Sequence, residues 1–485
     1  MEAAEAEIID WACWDIKRRS EDYKLYQDYY NGDHRTAFAS EQWKTAFGHT
    51  FKRFRDNLCP RVVDAKADRL QIAGFTSDDA KTEDAIDEVT GEVTGERTVD
   101  PAADAASVIW KANRMDRRAG EVHVGALRDG DSAIIVWPHP EPGNPPVLYP
   151  QKAEQIAIKY DQSLPGLIEY AVKVWPAKWV KEGARVQWRL NIYYADRVER
   201  YITKEAVDGL PQDHKKFDYY VPSEQYEGNY EEYDYGVVPV FPFANNAMTA
   251  EYGRSELRDI IPIQDALNKS MADMLIAGEF HSLPQRWATG LEVEIGPDGQ
   301  VKDGPIQAGS QRMWTTPNDQ ARFGQFEPAS MQGFVTTQDS YRAEIARISG
   351  TPLHYLLLTG DFPSGAALDA AETPLNNQTA DRQVSFGNAW EDVMALALKI
   401  GGLGDFATLS TVWKEIDSTQ ESERMQALLA KKDMGIPDQQ LWSEMGYDED
   451  QIAKFAVEKD ERVARMQEQL AGGGDTPVGL PGFGE

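Results

Sequence analysis

Two amphipathic segments held apart by a small Gly-, Pro- and Gln-rich module set the strongest constraint on this chain. Leu257, Ile260, Ile261, Leu267, Met271, Met274, Leu275 and Gly278 recur at helical spacing, a run of about seven turns. Pro262 has no amide hydrogen to donate, so either the first turns kink or the main helix starts there. Residues 281–330 carry short strand-like pieces at Leu291–Ile295 and Arg322–Phe326, with hairpin turns expected in 297–304. A second helical run, Met331–Ile348, places Phe334, Tyr341, Ile345 and Ile348 on one face. Thr351–Gly365 reads as a loop rich in Pro and Gly. Ala366–Ile400 then reads as a helix of roughly 50 Å with a kink expected at Pro374.

The region ahead of this block is mixed. Residues 3–30 read as a helix with Leu25, Tyr26, Tyr29 and Tyr30 on one face, stopped by Asn31-Gly32, and residues 52–70 as a second helix. Residues 76–104, dense in acids and Thr-Gly-Glu repeats, read as a solvated loop. Helices follow near Ala105–Asn113 and Met115–Arg128. From Ser132 to Thr203 the pattern has period two, clearest where Val186, Trp188, Leu190, Ile192 and Tyr194 alternate with polar neighbours. That predicts half-buried antiparallel strands, with others at Ser132–Trp137, Ala153–Tyr160 and Leu167–Trp175. Glu224–Tyr235 reads as an acidic, Tyr-rich loop. After the long helix, two more helices are expected at 418–434 and 439–470, then a disordered tail at 471–485.

Length bounds the domain count: 485 residues, 41% of them hydrophobic, are enough for two to four packed units. The net charge of −30 is the wrong sign for a protein that grips phosphates, and fits either an acidic soluble protein or a surface that nucleic acid passes without sticking. Cys13 and Cys59 match no metal-ligand spacing, so buried free thiols in a reducing, cytosolic folding environment are expected. No window approaches the length of an apolar membrane span and the N-terminus has no secretory pattern, so no membrane association is expected.

Enzyme signatures are missing from the sequence. No Gly-Lys dipeptide occurs, so there is no triphosphate-cradling loop, and Gly-x-Ser-x-Gly, His-Glu-x-x-His and Cys-x-x-Cys are all absent. No catalytic residue, metal or cofactor is expected. The basic run Lys52, Arg53, Arg55, Arg61, Lys66 and Arg69 is spread over more than one helical face, and ion pairing with the many acids, or a contact to a neighbouring subunit, is favoured over phosphate contact.

Five stretches in order resemble the portal protein family of long-tailed bacteriophages, in the form common in phages of actinobacteria. They are Tyr29–Gly32 with Val62-Val63-Asp64 and Ala67–Leu70; Ile109–Asn113 before Ala133–Pro138; Val238–Asn246 with Gly253–Leu257; Ile263–Asn268; and Ile348–Pro352 with Phe362–Leu368. The resemblance implies an α+β, ring-forming fold with mainly helical stem, wing and crown and with strands in the wing and clip. It maps the wing to 1–253, stem helices to 254–279 and 331–350, the clip to 280–330, a tunnel loop to 351–365, the long wing helix to 366–411 and the crown to 412–470.

The function so implied is structural: one subunit of the ring, expected to be a dodecamer, at the unique capsid vertex through which double-stranded DNA is packaged and ejected. His354, Tyr355, Leu356, Leu357, Leu358 and Asp361 are the tunnel-loop candidates for facing DNA, with Leu356–Leu358 packed on the long helix as the alternative. Asp265, Asn268, Asp339 and Glu344 are the candidates along the stem. Implied partners are the terminase large subunit, a head-completion adaptor, and the major capsid and scaffolding proteins. The implied location is the virion's portal vertex after assembly in the host cytoplasm. If part of the acidic charge faced the bore, phosphates would be repelled from all sides within about 10 Å, the Debye length at 0.1 M salt, and the duplex would stay centred. The alternatives are another connector or capsid protein and, further off, a metal-dependent enzyme acting on nucleic acid.

Overall fold

The structure is a computed structural model and describes residues 3–35, 55–78, 81–86, 93–164, 166–178, 184–222, 228–247, 252–282, 286–290, 297, 319–325, 331–357, 365–403, 409–416, 429 and 431–432. Helix α1 (Ala3–Tyr30), α2 (Cys59–Ala67), strands β1 (Ile72–Ser77), β2 (Lys81–Ile86) and β3 (Val93–Val99), and helices α3 (Pro101–Ala112) and α4 (Met115–Asp129) come first. The strand-rich part holds β4 (Asp131–Trp137), β5 (Val147–Lys152), β6 (Ile156–Tyr160), β7 (Ile168–Pro176), β8 (Trp188–Tyr193), β9 (Arg197–Thr203), β10 (Phe217–Tyr219), β11 (Tyr230–Glu232) and β12 (Val240–Ala244). Then follow α5 (Ile261–Ser282), β13 (Arg286–Thr289), β14 (Arg322–Gln325), α6 (Met331–Ser349), the single turn α7 (Leu353–Leu356), α8 (Gly365–Ile400) and β15 (Leu409–Trp413).

The first half is layered. Ile9, Ala12, Cys13 and Ile16 of α1 pack on Val172, Val174, Leu190, Ile192 and Tyr201 of the antiparallel sheet ordered β10-β9-β8-β7-β6. The opposite face of that sheet, through Ala171, Tyr193 and Val198, meets Ala133, Ile135 and Val240 of a second sheet ordered β12-β4-β5. Ile134, Val136, Leu148, Phe241 and Phe243 leave the far side of this second sheet and enter the main core. Strand β4 is therefore covered on both faces, which explains why Ala-Ile-Ile-Val is continuously apolar rather than alternating.

The main core gathers α2, α3, α4 and the second half of α8 around Trp390. That ring makes edge contacts with Trp110 at 5.0 Å and Phe243 at 4.9 Å. Its Nε1–H donates to Nε2 of His123 at 2.9 Å, while Nδ1 of His123 lies 3.0 Å from the Leu70 carbonyl, the arrangement of a neutral imidazole protonated on Nδ1. Leu257, Ile260, Ile261 and Leu267 at the start of α5, and Ile345 and Ala346 at the end of α6, belong to the same core. The two helices run antiparallel: Gly278 faces Met331, and Gln338 reaches the Met274 sulfur at 3.6 Å. Their far ends carry the hairpin of β13 on β14.

Local signals account for the boundaries. Asp100 caps α3 by accepting the Ala103 amide at 2.9 Å, with Pro101 in the first turn, so α3 starts earlier than the apolar pattern predicts. Helix α4 ends on Gly130 at φ +99°, the left-handed cap that glycine supplies most cheaply. Of the two readings of Pro262, a helix start is the one realised. Helix α8 continues through Pro374, which lies on its exposed side, where water can meet the carbonyl deprived of a partner.

Several expectations are corrected. The helix expected over 52–70 begins only at Cys59, because Pro60 restricts the residue before it and Asn57 turns back to accept the Cys59 amide. The stretch 76–104 contains the end of β1 and an antiparallel β2–β3 hairpin, in which Thr82 lies opposite Thr98 and Glu83 opposite Arg97. Residues 153–155 form a 3-10 turn ahead of β6, and Glu224–Tyr235 contains β11, which pairs with β9. The strand expected through Val186–Tyr194 is confined to β8, with Val186 in an isolated bridge to Val207. Ile348 is exposed, because the stripe of α6 that reaches the core runs through Gln338, Ile345 and Ser349. Leu291–Ile295, most of the 297–304 turns, Lys52, Arg53, all of the helices at 418–470 but residues 429 and 431–432, and the tail lie outside the described residues. Both cysteines are free and buried, and no described helix is long and apolar enough to cross a membrane.

Two outcomes follow from this packing. A Cβ on Gly253 would sit 2.1 Å from the Gly130 carbonyl oxygen and 2.5 Å from the Asn245 nitrogen, so Gly253→Ala should cost about 3 kcal/mol in a chemical denaturation titration. Burial pushes the His123 imidazole down to about 4 from 6.5. Between those values the unfolded chain binds a proton that the folded one does not, so stability falls as pH drops through that window, by about 3 kcal/mol in all. Denaturation at pH 6.5 and 4.5 should show most of that loss in the parent and much less of it in His123→Gln, which can keep one donor and one acceptor in place.

Candidate functional site

The sequence-derived site residues fall on the paired helices α5 and α6 and the segment after α6, which packs beside α8. Three polar joints seat them on the rest of the molecule. The deepest centres on Glu256, one turn ahead of α5. Lys66 Nζ donates to Glu256 at 2.5 Å, Arg382 Nη2 reaches it at 3.2 Å and Asn245 Nδ2 donates at 3.0 Å. Asn245 also accepts from Arg382 Nε at 2.7 Å and donates to the Arg254 carbonyl at 2.7 Å. Burial alone would raise the Glu256 carboxyl; the Lys66 charge, with the hydrogen bonds from Lys66 and Asn245, overcomes it and holds Glu256 below the usual carboxylate range. Burial lowers the Lys66 ammonium, and Glu256 offsets only part of that.

The second joint clamps residues 55–58 between the two helices. Gln264 accepts the Leu58 amide at 3.0 Å, and Asn268 accepts the Asp56 amide at 3.2 Å. From the other side Arg342 of α6 pairs with the Asp56 carboxylate at 2.8 Å and with Asp339 at 3.0 Å. The third joint holds the chain after α6. Arg69 of the α2 end reaches both the Tyr355 hydroxyl and the Glu372 carboxylate at 3.0 Å, and the Tyr355 hydroxyl donates to Glu372 at 3.1 Å.

The sequence-derived site residues divide accordingly. Asp265 points inward, 8% exposed, and accepts the Tyr29 hydroxyl at 2.6 Å, with burial raising its carboxyl. Asn268 also turns inward, with its amide nitrogen 2.6 Å from His34 Nδ1. Both follow the core side of α5, because the Gln264–Asn268 turn is the one that packs on α1 and residues 55–58. Asp339 and Glu344 stay on the outer side of α6, paired along the helix with Arg342 and Arg347. Leu356 is buried in the main core, so the packed alternative holds for it. Tyr355 is engaged in the Arg69 joint, and His354 lies 3.7 Å from Glu372. Leu357 is half-buried; Leu358 and Asp361 lie outside the described residues.

Three members of the basic run form ion pairs: Arg55 with Asp33 at 3.6 Å, Lys66 with Glu256 and Arg69 with Glu372. Sequence reasoning missed that Lys66, Asn245, Glu256 and Arg382 meet. A polar residue at each helical or strand boundary looks solvated when its partners lie more than a hundred residues away. The only signal was that Asn245 and Glu256 sit in the Val238–Asn246 and Gly253–Leu257 stretches that carry the family resemblance. Asp10, Asp213 and His214, the one described group with metal-compatible spacing, is accounted for by hydrogen bonds: both the amide and Nδ1 of His214 meet the Asp10 carboxylate, at 2.6 and 2.7 Å.

These joints are built from buried, mutually satisfied groups that hold helices in place within an α+β molecule. The chain matches the family described as phage portal protein, SPP1 Gp6-like, over residues 13–469, and it belongs to that family. It is 25% identical over 461 residues to the portal protein of Mycobacterium phage L5, covering 90% of this chain and 84% of that one. It is 25% identical over 410 residues to the portal protein of Mycobacterium phage D29, covering 80% and 75%. Among solved structures, a chain of the virion of a native gene transfer agent particle aligns over 81% of this chain and 89% of its own length, at 14% identity and a TM-score of 0.42.

The Glu256 joint should respond sharply to substitution. Glu256→Gln leaves Lys66 and Arg382 buried without a counter-charge and should cost roughly 3–5 kcal/mol in denaturation. Glu344→Gln, at a solvent-exposed pair, should leave the melting temperature unchanged.

Proposed function

We propose that this chain is one subunit of a closed ring, a dodecamer, at the unique capsid vertex, through which double-stranded DNA enters and leaves. The observation that carries the reading is the antiparallel α5–α6 pair. It is rooted in the core at one end through Leu267 and Ile345 and carries the β13–β14 hairpin at the other. Copies of such a stiff pair arranged about an axis make a wall, and a heterologous interface that closes on itself makes the ring.

The outer face of α6 suits a wall past which a polyanion slides. Gln332, Thr336, Thr337, Ser340 and Ala343 are exposed and uncharged, and the three hydroxyls are bonded back to their own helix at 2.9–3.1 Å. Over these positions the face offers phosphates no cation to hold them, and Arg347, one turn further on, is paired with Glu344. In this reading the hairpin end meets a head-completion adaptor, and the residues after α8 extend into the capsid interior beside the major capsid and scaffolding proteins. The terminase large subunit supplies the energy for translocation. The segment 351–365 contributes contact to the duplex through Leu357 and the residues beyond it, with Tyr355 as its anchor to Arg69.

Negative-stain images of the purified protein should show annuli with a central hole; a uniformly compact single-chain particle under capsid-assembly conditions would contradict the proposal. Within the segment after α6, Leu356→Ser should destabilise the subunit by about 3 kcal/mol as a core substitution. Leu357→Ser should leave rings intact and lower the DNA packaged per particle.

A further inference from the structure

The distribution of ion pairs is uneven in one place. Among the described residues, cations withdrawn from water almost all hold a carboxylate: Arg19 with Asp15, Lys66 with Glu256, Arg69 with Glu372, Arg200 with Glu231, Arg342 with Asp56, Arg382 with Glu256. Lys173 and Arg189 do not, and neither does Lys159, which lies over the Trp11 ring. Register places Lys173 and Arg189 on the face of the large sheet that also carries Ala171 and Tyr193, further along the strands from the patch that meets the second sheet. Lys173 on β7 lies opposite Asn191 on β8, and Arg189 lies opposite Trp175, which makes the two cations diagonal neighbours, about 7–8 Å apart at the backbone.

What each cation touches is aromatic. Lys173 Nζ lies 4.7 Å from the Trp175 ring centroid, and Arg189 lies 4.3 Å from the Tyr220 centroid, with its guanidinium donating to the Tyr220 hydroxyl. Arg189 Nε is buried without a hydrogen-bond partner. Burial pushes the Lys173 ammonium down to about 8, with no opposing carboxylate. Ring faces are weak counterparts for two partly desolvated charges. In a chain with 80 acidic residues against 50 basic ones, leaving this pair unneutralised is the exception.

We propose that the Lys173–Arg189 face of the sheet is an interface between copies of this chain and receives a carboxylate-bearing segment of a second copy. This rests on the ring reading above. A chain of net charge −30 repels its own copies, so ring closure needs cations that each copy has not already neutralised internally. The neighbour also holds carboxylates in fixed stoichiometry, whereas free DNA would be repelled by the whole acidic particle.

The test is a zero-length carbodiimide coupling, which joins a lysine amine to a carboxylate only in direct contact, applied to rings assembled from equal parts of 14N- and 15N-labelled full-length chain. The expected product is a Lys173 peptide joined to an acidic peptide with the two isotopes mixed. Lys173→Arg should abolish that product while rings persist, and K173E/R189E should weaken ring assembly about tenfold. Rings in which Lys173 stays uncoupled, or couples only within one isotope, overturn this inference and leave the ring reading standing. Failure to form rings overturns both. Loss of duplex binding in a gel shift of K173Q/R189Q without any inter-copy coupling overturns it in favour of nucleic acid.

Discussion

The buried Glu256 carboxylate is the point on which the arrangement of the functional elements depends. It lies in the few residues that join the strand-rich first half to α5. Its three donors come from α2, from the residue after β12 and from the middle of α8. Each of those groups is deeply buried and would be costly alone. Together they tie the start of α5 and the long helix α8 to the same spot. Close contact of Gly130 with Gly253 lets the backbone pass there, so both the charge pairing and the missing side chain serve the same junction.

From that junction outward, packing changes character. The main core around Trp390 is aromatic and continuous, and α5 begins and α6 ends in it. Beyond Ala272 on α5 and before Gln338 on α6, described side chains are half-buried or exposed. A subunit that roots two helices firmly and leaves their outer lengths uncovered is suited to being covered by its own copies. The outer α6 face and the Lys173–Arg189 sheet face lie far apart in sequence. They pose the same physical question: what meets a surface that the single chain leaves unmatched.

The sequence made some of this legible because local rules governed it. The helix start at Ile261 follows from Pro262, the end of α1 from Asn31-Gly32, and the strands β4 and β7 from period-two or continuous apolar runs. The order of helix, small insert, helix, loop and long helix was readable for the same reason, since each element carries its own periodicity. What was not legible depends on partners distant in sequence. Asp265 was a candidate for the channel side until Tyr29 was placed beside it, and the choice between a packed and an outward Leu356 needed the main core that closes over it. The β2–β3 hairpin was hidden because its acids and Thr-Gly-Glu repeats resemble a solvated loop when strand pairing is not considered. Ile348 was put on the wrong face because three apolar residues define a stripe only loosely, whereas Gln338 and Ser349, both polar, occupy the buried one.

The central claim is that α5 and α6 form the inner wall of a ring. A three-dimensional reconstruction of the assembled particle tests it most directly. The account predicts a closed annulus whose innermost rods, nearest the axis, fit α5 and α6, with the β13–β14 hairpin at one rim. A particle in which those two helices are enclosed within each subunit and some other element borders the axis, or in which there is no axis at all, would contradict it.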